Sequence, residues 1–184
     1  MSDHDHGYKL LFSHPRMVQD LLQGFVHEDW VRQVDFSTLE RVSGSYVSDD
    51  LREREDDVIW RVRLGPEWLY VYLLIELQSR PDPFMALRIL VYTGLLYQEL
   101  VKGGHFTHNG KLPPVFPLVL YNGEPLWGAA QDVAELIEAV PGLMAYRPHL
   151  RYLLLDEGPL QGNQAMLLRG KLLMLKTTIG AACT

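Results

Sequence analysis

Leu69-Tyr70-Val71-Tyr72-Leu73-Leu74-Ile75-Glu76-Leu77-Gln78 is the stretch on which the reading of this chain turns. Eight residues that are almost all apolar, ending in polar groups, read as a buried strand with a polar tip. Side chains alternate along a strand, so Glu76 and Gln78 belong to one face. A carboxylate at the end of an apolar strand is costly to bury without a partner, and a metal ion is one such partner. The preceding run, Val58-Ile59-Trp60-Arg61-Val62-Arg63-Leu64, is headed by Asp56 and Asp57. Leu64-Gly65-Pro66-Glu67 supplies turn residues between the two runs, so they are expected to form a hairpin. Such a hairpin brings the start of its first strand beside the end of its second, where Asp57 and Glu76 could share one ion. The bland alternative is that Asp56-Asp57 is a solvated charged loop and that Glu76 merely caps a strand.

Length and composition bound the rest. The 184 residues suit one domain, read as spanning 1–184. A content of 47% hydrophobic and 22% charged residues is that of a globular chain rather than a disordered one. No apolar run reaches the roughly 18 residues of a membrane helix, so no membrane partner is expected. Met1-Ser2-Asp3-His4-Asp5-His6 is polar and acidic, unlike a secretory leader, and a cytoplasmic location is the default. The one cysteine, Cys183, excludes an intramolecular disulfide framework and a multi-cysteine zinc site. The net charge of -6 argues against a strongly basic nucleic-acid binder, yet it leaves room for a local basic groove.

Along the chain, Ser13-His14-Pro15 reads as a helix start, with Val18, Leu21, Leu22 and Phe25 forming an apolar stripe behind it. Residues 27–50 carry weaker signals, with Trp30, Val34, Phe36 and Leu39 available to pack. After the hairpin, Asp82 is an N-cap and Pro83 a first helical residue. The helix they open should run to about Lys102 and stop at Gly103-Gly104. It is apolar around most of its circumference and is expected to be largely buried. Val115–Tyr121 reads as a further strand, Asp132–Val140 as a short helix, His149–Leu155 as the last strand, and Asn163–Lys176 as a closing helix. Interleaved strands and helices predict an α/β domain with a mixed central sheet flanked by helices.

The wording around the Glu-x-Gln strand resembles a known family. Ile75-Glu76-Leu77-Gln78-Ser79, Arg80-Pro81-Asp82 and then Met85-Ala86-Leu87-Arg88-Ile89-Leu90-Val91-Tyr92 are similar to the recombination-promoting nuclease (Rpn) family, also known as the YhgA-like transposase family. Two more stretches agree with it: His4-Asp5-x-x-Tyr8-Lys9-x-Leu11-Phe12-Ser13-His14-Pro15, and Val115–Gly123 with Trp127 after it. The resemblance spans residues 4 to about 157.

That family in turn resembles nucleases of the PD-(D/E)XK, restriction-endonuclease-like type, which cut phosphodiesters with Mg²⁺. The resemblance implies a metal-dependent DNA endonuclease linked to recombination or mobile elements. In it Asp57 and Glu76 hold Mg²⁺ or another divalent cation, and the carbonyl of Leu77 is a further ligand. Gln78 stands where the pattern has lysine, so it can offer only neutral hydrogen bonds at the catalytic position. The alternative reading is a nuclease-fold DNA-binding or assembly module without catalysis. Asp5 is either an accessory acid or the cap of a local turn, and His4, His6 and His14 are weak metal candidates. Arg80 and Arg88 are candidate contacts to DNA phosphates, Arg88 being equally suited to pair with a carboxylate. Family members continue further, so the chain is read as a truncated or frame-altered copy. DNA and a second copy of the chain are the expected partners.

Overall fold

The computed structural model describes residues 12–42, 57–76, 81–121, 123 and 125–156, with Asp57 and Leu74–Glu76 described by their backbone. Helix α1 (Pro15–Phe25) starts with Pro15 at its first position, and His14 Nδ1 accepts from Arg16 N at 3.4 Å. Strands β1 (Val34–Arg41), β2 (Asp57–Leu64) and β3 (Glu67–Glu76) follow. Helix α2 (Met85–Lys102) leads to β4 (Val115–Tyr121), and β5 (Leu153–Asp156) is the last strand among the described residues. The five strands lie in the order β1-β2-β3-β4-β5, β1 to β3 antiparallel and β3 to β5 parallel.

The hairpin turns at Gly65 and Pro66, where Gly65 takes φ +61°, a conformation open to glycine at no steric cost. Its register pairs Val58 with Leu73, Trp60 with Val71 and Val62 with Leu69. These six residues are buried beneath α1, whose Met17, Val18, Leu21 and Leu22 complete that core. Each large aliphatic or aromatic side chain withdrawn here is worth about 1.5–3 kcal/mol. On the opposite face, Ile59, Tyr70 and Tyr72 pack with Met85, Ala86, Ile89, Tyr92 and Leu96 of α2. With both faces covered, β3 must be nearly continuous in apolar residues, which is why it stands out in the sequence.

The structure departs from the sequence expectations at several elements. Strand β1 was not anticipated, because a register shift between Asp35 and Glu40 breaks its alternation. Helix α2 begins at Met85 rather than Pro83: Asp82 Oδ1 accepts from Phe84 N at 2.8 Å and closes a turn ahead of the helix. The helix is also less buried than expected. Its sheet-facing stripe is covered, whereas Phe84, Leu87, Val91 and Val101 are exposed. The expected helix over Asp132–Val140 is a single 3-10 turn, Val133–Leu136, capped by Asp132. The last strand begins at Leu153 rather than His149, and Arg151 forms an isolated bridge to Asp132. Among the described residues no helix is long and apolar enough to cross a membrane. The expected helix over Asn163–Lys176 lies outside the described residues.

Candidate active site

The backbone register defines the candidate site. Asp57 opens β2 opposite Leu74, and Glu76 closes β3 two residues further along. Cross-strand partners share a face and the strand repeat is two, so positions 57, 74 and 76 belong to one face of the sheet. Asp57 and Glu76 are therefore diagonal neighbours, with Cα atoms about 7–8 Å apart. The face is the one that carries Ile59, Tyr70 and Tyr72, on which α2 packs. The hairpin expected from the sequence is thus observed, and its register sets these two positions one diagonal step apart at backbone level.

The same level of the sheet continues across the parallel strands. Glu76 is opposite Tyr121 of β4, and Tyr121 is opposite Asp156 of β5. Trp127 meets Tyr121 edge-on, with ring centroids 4.9 Å apart, and its backbone N–H donates to Asp156 Oδ2 at 3.3 Å. Tyr121 Oη donates to the Pro125 carbonyl at 3.0 Å. A Cβ at Gly123 would fall 2.1 Å from that hydroxyl, so the loop can fold over Tyr121 because residue 123 is glycine. Behind Trp127, Tyr152 Oη donates to the Ala130 carbonyl at 2.8 Å and accepts from Trp127 Nε1 at 3.2 Å. Burial pushes the Tyr152 phenol up to about 12, against the opposing bond from Trp127. From the sequence, Tyr121 and Trp127 enter only through the family resemblance, and Tyr152 and Asp156 carry no site role. The signal available was Leu153-Leu154-Leu155-Asp156, a second apolar run ending in an acid.

Of the candidate DNA contacts, Arg88 lies in the first turn of α2 and is mostly buried. Its Nη1 donates to Asp82 Oδ2 at 3.3 Å, the carboxylate pairing that its sequence position allowed. Gln78, Arg80, Asp5, His4, His6 and the Leu77 carbonyl lie outside the described residues. A different pair of arginines is ordered on the same face as Asp57. The guanidiniums of Arg61 and Arg63 both lie over the Trp68 ring, 4.5 and 4.1 Å from its centroid. Burial works against the Arg61 charge, but Tyr70 and Glu40 outweigh it and hold the guanidinium protonated.

An α/β domain with an antiparallel hairpin that ends in two acids is the class that fold and register define. The chain belongs to the family described as "Putative transposase, YhgA-like", whose model matches residues 2–179. It is 31% identical over 122 residues to the recombination-promoting nuclease RpnD of Escherichia coli O157:H7, covering 65% of this chain and 45% of that one. It is 34% identical over 120 residues to the recombination-promoting nuclease RpnA of Escherichia coli K12, covering 65% and 40%. It is also 29% identical over 123 residues to the inactive recombination-promoting nuclease-like protein RpnE of Escherichia coli K12, covering 67% and 40%. The matched stretches thus span less than half the length of these relatives. No solved structure matches the chain.

Proposed function

We propose that this chain is a metal-dependent DNA endonuclease of the PD-(D/E)XK type that hydrolyses phosphodiesters in the course of recombination. The observation that carries the reading is the diagonal placement of Asp57 and Glu76 on one sheet face, in a family whose relatives bear the name recombination-promoting nuclease. The residues fit a hard cation: two carboxylates offer anionic oxygen donors, the ligands Mg²⁺ prefers. When bound, that ion supplies charge neutralisation at the scissile phosphate and a lowered pKa for water. The protein's own residues supply the rest. Asp57 and Glu76 fix the position of the charge against a rigid hairpin. Gln78, two residues beyond Glu76 in the sequence, orients water or phosphate through its amide. An amide neither takes up nor releases a proton in this range, so the water's proton leaves to solvent or to a phosphate oxygen. Arg80 and Asp5 join this proposal as a phosphate contact and an accessory acid.

A second reading, a nuclease-fold module that binds DNA without cutting it, is favoured by Gln78 standing in a lysine position. The experiment that separates the two joins calorimetric titration of Mg²⁺ to nicking of supercoiled plasmid. The endonuclease reading expects binding and nicking by the wild type and neither by folded Glu76→Ala. Equal nicking by both proteins would assign the cutting elsewhere. Metal-independent DNA binding with no nicking would establish the module.

A further inference from the structure

We infer that Arg61 and Arg63, stacked on Trp68, form a contact for the sugar–phosphate backbone of duplex DNA, an inference that rests on the endonuclease reading. The two arginines occupy alternate positions of β2, in the series 57, 59, 61, 63 that shares one face. At about 3.4 Å per residue, Arg61 lies about 14 Å and Arg63 about 20 Å along the strand from Asp57. Ile59, between Asp57 and Arg61 in that series, is buried in the core that α2 covers, so the guanidiniums would meet phosphates well separated from the scissile one.

Two guanidiniums face three carboxylates here, Asp35, Glu40 and Glu67, and Arg63 is the cation held in no salt bridge among the described residues. Arg61 is paired with Glu40. Arg63 Nη1 donates to the Pro66 carbonyl at 2.7 Å, a bond that neutralises none of its charge. Among the described residues no carboxylate lies within ion-pair distance of Arg63. Asp35, its register partner on β1, has Oδ1 bonded by Ser37 N at 3.1 Å and Ser37 Oγ at 2.6 Å. Glu67, across the hairpin turn, accepts from the backbone and ring of His108, and the Arg63 charge also helps to lower its pKa. Asp35 and Glu40 are exposed and Arg61 and Arg63 half-buried, so this edge of the face is partly open to solvent. The indole holds both planar groups in place, and a pre-ordered cation loses less freedom on meeting a phosphate. Two like charges over one ring repel, and a bridging anion relieves that repulsion. In a chain of net charge -6, contact with a polyanion has to be concentrated in such a spot.

The test is the salt dependence of binding to a labelled duplex, followed by fluorescence anisotropy with the full chain in chelator, so that nothing is cut. Arg63→Gln is expected to weaken binding about tenfold, the scale of a lost charged hydrogen bond. It should also reduce the slope of log affinity against log salt by about one, as for one lost phosphate contact. Arg63→Lys should retain the wild-type slope. Lys102→Gln removes the same charge from a residue paired with Glu99 and should leave both quantities unchanged. Arg63→Met, which keeps an apolar stem on Trp68, gives the same comparison should the amide variant fail to melt cooperatively. Wild-type affinity and slope in the folded Arg63 variants would overturn the inference, as would an equal loss in Lys102→Gln. With Glu76-dependent nicking intact, either result leaves the endonuclease reading standing. A wild type that binds no duplex overturns the inference, and absence of Glu76-dependent nicking overturns the endonuclease reading itself.

Discussion

Asp57 and Glu76 stand one diagonal step apart across the β2–β3 ladder, the first residue of one strand beside the last residue of the next. The proposed metal site needs both carboxylates to reach one ion, with oxygen bonds of about 2.0–2.6 Å. Asp57→Asn is expected to lower Mg²⁺ affinity and nicking together, since it removes half the anionic charge without changing shape. Calorimetry and plasmid nicking on the folded variant check this; a fall in nicking with unchanged metal affinity would separate Asp57 from the metal.

Gln78 gives a graded expectation. Gln78→Ala should slow nicking while leaving Mg²⁺ binding nearly intact, because an amide is a weak ligand for a hard cation beside two carboxylates. Gln78→Lys should keep or raise the rate by adding an ammonium that can reach phosphate or water. Initial nicking rates in Mg²⁺, with melts to confirm folding, decide the matter. A lysine variant that folds and loses all nicking would mean that the site does not follow the PD-(D/E)XK geometry.

The hairpin was legible because both determinants are local. An apolar run with both faces covered and a Gly-Pro turn leave little room for another register, and each acid sits at the end of its strand. Strand β4 was equally readable in Val115–Tyr121. What could not be read depends on three-dimensional neighbours. The bulge in β1 breaks the two-residue period. The exposed outer stripe of α2 has the same composition as its buried stripe. Arg61, Arg63 and Trp68 meet only once the hairpin pairs 61 with 70 and 63 with 68. Asp156 becomes a neighbour of the site through two parallel pairings that no short motif announces.

Trp60 ties the hairpin to the start of the described chain. The residue is 2% exposed, and its Nε1 donates to the Phe12 carbonyl at 3.0 Å. Trp60→Ala is expected to cost about 3–5 kcal/mol through the cavity it leaves. Trp60→Phe should cost less but still leave the Phe12 carbonyl short of a donor, about 1–3 kcal/mol. Urea unfolding of the three proteins measures both. Equal stability of Trp60→Phe and wild type would show that water replaces the indole at that carbonyl.

Tyr152 sets an alkaline limit. Its phenol is held up to about 12, with desolvation by burial the largest cause. The unfolded chain ionises near the usual value of about 10. The raised folded value means that the stabilisation is fully present below pH 10 and is lost as pH rises from there toward 12. Tyr152→Phe is therefore expected to lower stability at neutral pH by about 1 kcal/mol, from the lost bond to Ala130. It should also flatten the decline in melting temperature between pH 10 and 12. A variant with the same alkaline decline as wild type would move its cause to another group.

Arg88 and Asp82 offer a pairing test. Arg88→Gln and Asp82→Asn should each destabilise by about 1 kcal/mol, and the double variant by less than their sum, because the two share one bond. Additive losses in thermal melts would show the pair to be energetically uncoupled.

The sheet order has a kinetic consequence. The β2–β3 ladder closes over a two-residue turn, whereas β3 can meet β4 only after residues 77–114 have been threaded through α2. Loop closure over a long span is slow, so low contact order favours the hairpin as an early event and the parallel half as the late one. The relative placement of positions 57 and 76 is then established before β4 and β5 dock. Substitutions that delay docking of the parallel strands would slow arrival at the native state without altering how these two positions face each other.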